Sequence, residues 1–150
     1  MSLKEKLAGE MKNALKERDK TRLSTIRLIQ DAVKKKEIDQ GREELDDDGI
    51  IKVISTMVRK GEEAIELFKK GGREDLVDEE TRQLDVLKSF LPQQLSMKEI
   101  ESLIDEAIEE AKAVDTGDLG KVMKILMPMV SGKADGKTVN EMVREALGLK

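Results

Sequence analysis

Gly117–Leu147 reads GDLGKVMKILMPMVSGKADGKTVNEMVREAL, and the fold follows from how that stretch is parsed. Apolar residues recur at helical spacing on both sides of a short Ser-Gly-Lys-Ala-Asp-Gly turn. Leu119, Val122, Met123 and Leu126, with Met129 or Val130, precede it; Val139, Val143 and Ala146/Leu147 follow. Such a period describes two helices, each buried along one side. Gly132 and Gly136 shape the turn, with Asp135 as the expected N-cap of the second helix and Asp118 of the first. Pro128 is expected to kink or shorten the first helix near its end, and Gly148 to lie beyond the second.

Working outward, the same period continues to the N-terminus. Residues 2–17 predict a helix with Leu3, Leu7, Met11 and Ala14/Leu15 inside, and 19–39 a second, capped by Asp19, with Leu23, Ile26, Ile29 and Val33 inside. Gly41 and the acidic run Glu43–Asp48 read as a linker, with Asp48 capping a third helix along Ile50, Ile54, Met57, Gly61, Ala64/Ile65 and Phe68. Gly71-Gly72 ends that helix. A fourth runs from Glu74 to Phe90 and stops at Pro92, because the residue before proline is pushed out of the helical region. Ser96-Met97-Lys98-Glu99 is a capping box that opens a fifth helix on Ile100, Leu103, Ile104, Ala107, Ile108 and Ala111. The expectation is an all-α chain of seven helices. Residues 1–92 form an N-terminal four-helix bundle-like part, and 96–148 a smaller three-helix domain.

Composition agrees and excludes several chemistries. Charged residues make up 40% of the chain and aromatics 1%, so a core must be built from Leu, Ile, Val, Met and Ala. With no Cys and no His there are no disulfides, thiolate nucleophiles, histidine bases or usual zinc sites. No apolar run is long enough to span a bilayer and the N-terminus has no signal-peptide pattern, so a cytoplasmic setting without a membrane or metal partner is expected. The net charge of −4 is uneven: residues 1–40 carry 11 basic and 7 acidic side chains, 41–116 carry 11 and 21, and 117–150 carry 6 and 4.

Two patterns mimic known sites. Gly132–Thr138 looks like a phosphate-binding loop, but has three residues between its glycines where four are needed, and a helical pattern precedes it instead of a strand. Glu44–Gly49 looks like the start of a calcium loop, but its twelfth position is Ser55, which has no carboxylate. The many carboxylates lie on exposed helix faces, where nothing raises their pKa for acid–base work. No catalytic residue, cofactor or metal site is expected.

Basic side chains are the better candidates. Arg22 and Arg27 lie on the second helix, Lys121 and Lys124 share a face of the sixth, Lys133 and Lys137 bracket the turn, and Arg144 follows two turns on. These could hold a phosphate backbone; the plainer reading is a solvated helix surface. Without aromatic platforms, any nucleic-acid contact would be to backbone and shape rather than to stacked bases.

From Gly120-Lys121-Val122-Met123 through Gly132-Lys133-Ala134-Asp135-Gly136-Lys137 to Val139-Asn140-Glu141 and Val143-Arg144-Glu145, the chain resembles the GatB/YqeY family. Arg22–Arg27, Gly72–Leu76 and Leu91–Ser96 extend the resemblance to the free-standing form of the family, over essentially the whole chain. The resemblance implies a two-part helical structure and a link to glutamine-dependent amidation of misacylated tRNA. In the aspartyl/glutamyl-tRNA amidotransferase, the related C-terminal tail domain helps to recognise the tRNA. The leading expectation is therefore a module that binds tRNA, or a tRNA-handling protein such as the amidotransferase, and is not catalytic alone. The alternatives are a protein-interaction adaptor using the acidic middle helices, and a carbon–nitrogen ligase with glutamine as amido-N-donor.

Overall fold

The computed structural model describes residues 2–148, and among these there are seven α-helices, one 3₁₀ turn and no strand. The helices are α1 (Leu3–Glu17), α2 (Lys20–Asp39), α3 (Asp47–Lys70), α4 (Glu74–Ser89), α5 (Met97–Ala111), α6 (Leu119–Val130) and α7 (Gly136–Gly148). The chain divides into two compact units, Met1–Leu91 and Pro92–Lys150.

In the first unit α1 packs on α2, α3 on α4, and α2 on α4. Local capping sets the helix ends. The Ser2 hydroxyl accepts the Glu5 amide, and the Asp19 carboxylate accepts the Arg22 amide at 3.1 Å while its own N–H donates to Ala14. Two residues thus suffice to join α1 to α2. The core is aliphatic, with Leu7, Ile26, Ile29, Ile50 and Ile54 almost wholly enclosed and Leu84, Leu87 and Phe90 closing it from α4 and its end. Of the pair Ala14/Leu15, Ala14 is buried and Leu15 remains 51% exposed.

The acidic run does more than link. Asp46, and not the expected Asp48, caps α3, its carboxylate accepting the Gly49 amide at 2.8 Å. Asp47 is already helical and accepts the Leu3 amide at 2.9 Å, which ties the start of α1 to the start of α3. Glu37 accepts both the Lys4 ammonium at 2.6 Å and the Leu45 amide at 2.8 Å. Asp46, the third position of the calcium-loop pattern, is therefore engaged by a backbone N–H group. Among the described residues no group of three or more His, Cys, Asp or Glu could hold a metal ion.

In the second unit α5 packs on α6, α6 on α7, and α5 on α7. The Ser96 capping box forms with both of its hydrogen bonds. Val122, Leu126, Val130, Val139 and Val143 are completely buried, with Ile104, Ala107, Ile108 and Leu147 around them. Val130 is the buried member of its pair and Met129 is exposed. Pro128 lies inside α6, its missing N–H leaving the Lys124 carbonyl without that helical donor, and the helix ends two residues later at Val130. Gly148 is still helical rather than beyond α7.

Asp118 does not cap α6 with its side chain. A 3₁₀ turn, Thr116–Asp118, stands before the helix; Asp115 caps that turn, and the Leu119 N–H reaches the Thr116 carbonyl. With those donors met by the turn, the Asp118 carboxylate reaches back to the Val114 amide at 3.0 Å. No described helix is long and apolar enough to cross a membrane.

Candidate nucleic-acid interface

The turn between α6 and α7 is built by a double acceptance at its start. The Val130 carbonyl takes the N–H of Lys133 at 2.9 Å and of Ala134 at 3.0 Å, which folds the chain back immediately after the helix. Gly132 adopts φ +75°, a region in which a side chain is strained, so this glycine is required by the backbone. Gly136 has no such φ and begins α7. Asp135 precedes α7, its carbonyl accepting the Val139 amide and its carboxylate the Thr138 hydroxyl at 3.0 Å.

The outer side of the turn is anchored from the beginning of the same unit. Gln94 donates through Nε2 to the Gly132 carbonyl at 2.8 Å and to the Pro92 carbonyl at 2.9 Å. The Leu95 N–H donates to the Lys133 carbonyl at 2.9 Å. Lys133 is therefore presented by a turn whose two carbonyls are both tied down. This geometry disposes of the phosphate-loop reading, because the amides of Lys133 and Ala134 are spent on Val130 and a helix stands where a strand is needed.

Lys121, Lys124, Lys133, Lys137 and Arg144 are placed differently. Lys121, Lys133, Lys137 and Arg144 are exposed, and Lys124 is exposed on α6 as well. Lys121 lies 3.6 Å from Asp118, so its charge is partly matched. Lys124, Lys133, Lys137 and Arg144 have no carboxylate oxygen within 4.0 Å among the described residues. Lys137 and Arg144, seven residues apart, share one side of α7, and the exposed Glu141 lies between them. Lys137 also sits in the first turn of α7, where the helix dipole is positive. The exposed Asp135 carboxylate stands between Lys133 and Lys137 at the turn, as Glu141 does between Lys137 and Arg144, so cations and carboxylates alternate here.

The two arginines belong to the first unit and differ. Arg27 is exposed. Arg22 is committed internally: its guanidinium lies 3.0 Å from Glu10 and 5.5 Å from the centre of the buried Phe90 ring, which Lys6 also approaches at 5.7 Å. Reading Arg22 as an open phosphate contact missed these partners. Gln94 and Leu95 enter the sequence reading only within the Leu91–Ser96 resemblance and not as site residues, yet their hydrogen bonds to the turn join positions 38 apart in both cases.

A family model described as Yqey-like protein matches residues 4–147. Among curated proteins, the chain is 30% identical to "Altered inheritance of mitochondria protein 41, mitochondrial" of Pyrenophora tritici-repentis, over 97% of this chain and 81% of that protein. It is 31% identical to the protein of the same name from Lachancea thermotolerans over 71% of this chain and 58% of that one. For the Kluyveromyces lactis protein of that name the identity is 28%, over 89% and 69%. The chain thus spans less than two thirds of the Lachancea relative's length.

Proposed function

The chain belongs to the Yqey-like protein family, and from that premise we propose that it is a non-catalytic module that binds tRNA through the phosphate backbone, as the related amidotransferase tail is expected to do. The observation that carries this reading is the set of exposed cations without an ion-pair partner among the described residues: Lys133 and Lys137 at the turn held by Gln94 and Leu95, Lys124 on α6 and Arg144 on α7. The backbone that carries Lys133 is fixed by hydrogen bonds before binding, and cations that meet phosphates release condensed counterions from the nucleic acid. With Phe68 and Phe90 the only aromatics, and Phe90 buried, contact to backbone and shape fits better than base readout. The compartment proposed is one that holds tRNA, cytoplasmic for this chain; the relatives' name says mitochondrial.

The test is a titration of labelled tRNA with the full chain at low and moderate salt, with and without a tRNA amidotransferase. Saturable binding that weakens with salt is the expected result. No binding at low salt in either arm removes the proposal.

A further inference from the structure

The first unit contains a basic groove that the acidic composition of residues 41–116 conceals. Lys35 and Lys36 line it from α2 and Lys52 and Lys60 from α3, around a space of about 690 Å³ with Val53 and Met57 on its surface. Asp39 is the only carboxylate among the lining residues. None of the four ammoniums has a carboxylate oxygen within 4.0 Å among the described residues. The nearby Glu37 is already taken by Lys4 and the Leu45 amide.

Spacing adds a direction. Lys52 and Lys60 are eight residues apart on α3, which places their Cα atoms about 12 Å apart along the axis at about 1.5 Å per residue. Val53 and Met57, at i and i+4, run as an apolar strip beside that row. We propose that this groove takes an acidic amphipathic helix from a partner protein. Carboxylates on such a helix answer the lysines of both walls, and its apolar residues at i, i+3/i+4 and i+7 cover the strip. A phosphate backbone would answer the lysines alone, leaving Val53 and Met57 uncovered and finding no aromatic lining on which to stack a base. Helix docking in this groove does not depend on tRNA binding by the second unit.

The experiment is selection of a phage-displayed library of helix-favouring peptides, about 16 residues long, on the full chain; at about 1.5 Å per residue such a helix covers the lysine row and one turn at each end. Enriched sequences are expected to combine Asp or Glu with Leu, Ile or Met at helical spacing. A synthetic copy should bind about tenfold or more weakly to the Lys52→Glu, Lys60→Glu protein, since each reversal replaces an attraction with a repulsion. Val53→Thr, which keeps the shape and adds a hydroxyl, should also weaken it, while Lys133→Ala with Lys137→Ala leaves peptide affinity unchanged. A uridine oligonucleotide serves as the competing arm. The proposal is overturned by any of four results: no enrichment, enrichment without an acidic surplus, indifference to the lysine reversals, or displacement of the peptide by the oligonucleotide with Val53→Thr silent.

Discussion

Gln94 and Gly132 are joined by a hydrogen bond of 2.8 Å from the Gln94 side-chain amide to the Gly132 carbonyl. It fastens the turn before α7 to the segment that enters α5. Gln94→Ala should destabilise the second unit by about 0.5–1.5 kcal/mol, the net value of one such bond. The neighbouring Leu95 amide, bonded to Lys133, should exchange its hydrogen faster in the same variant. Gln93→Ala, at an exposed side chain, should change neither. Amide exchange together with denaturant melts of the three proteins decides the matter.

The two glycines of the turn should respond with opposite signs. Gly132, at φ +75°, should cost about 1–2 kcal/mol when replaced by Ala. An added Cβ at Gly136 would meet nothing nearer than the Met127 methyl at 4.0 Å, so Gly136→Ala should be neutral or stabilising by up to about 1 kcal/mol. Thermal melts of the two variants check both signs.

Arg22 and Arg27 separate a packed cation from an open one. Arg22→Ala removes the Glu10 pair and the cation over Phe90 and should cost about 1–2 kcal/mol. Arg27→Ala should stay within about 0.5 kcal/mol of the parent. Equal effects on stability would contradict the assignment.

The Asp118 carboxyl is held below the usual carboxylate range, first by the Val114 N–H and also by the nearby Lys121 ammonium, against the opposing effect of partial burial. A lowered folded-state pKa stabilises the fold at pH above the unfolded value of about 3.9, and that stabilisation is lost as pH falls through the folded value. The Tm advantage of the parent over Asp118→Asn should therefore be largest near about pH 6 and close toward about pH 3. An advantage that grows on acidification would contradict the stated cause.

What the sequence conveyed well was local. Asp19 and the Ser96–Glu99 box act within three or four residues, and the aliphatic stripes of α3 and α5 need only a period. It failed where several residues met the same local rule. Asp46, Asp47 and Asp48 could each cap α3, and the choice is bound up with a distant amide, that of Leu3, which engages Asp47. Asp118 looked like a cap because a 3₁₀ turn of three residues leaves no signature in hydrophobic spacing. At the candidate interface, the cations were visible as residue types. Their state was not, because the partners of Arg22 are set by packing between α1, α2 and the end of α4.

The most direct test of tRNA binding by the second unit is the salt dependence of affinity in the parent and in Lys133→Ala, Lys137→Ala. The parent should bind tRNA with a linear fall of log affinity against log salt. The double variant should bind more weakly, with a slope shallower by about 0.9 for each duplex phosphate it no longer neutralises, or about 1.8 if both lysines engage the backbone. Identical affinity and slope in the two proteins would contradict the assignment of these lysines. Failure of the parent to bind at low salt, with and without a tRNA amidotransferase, would contradict tRNA binding itself.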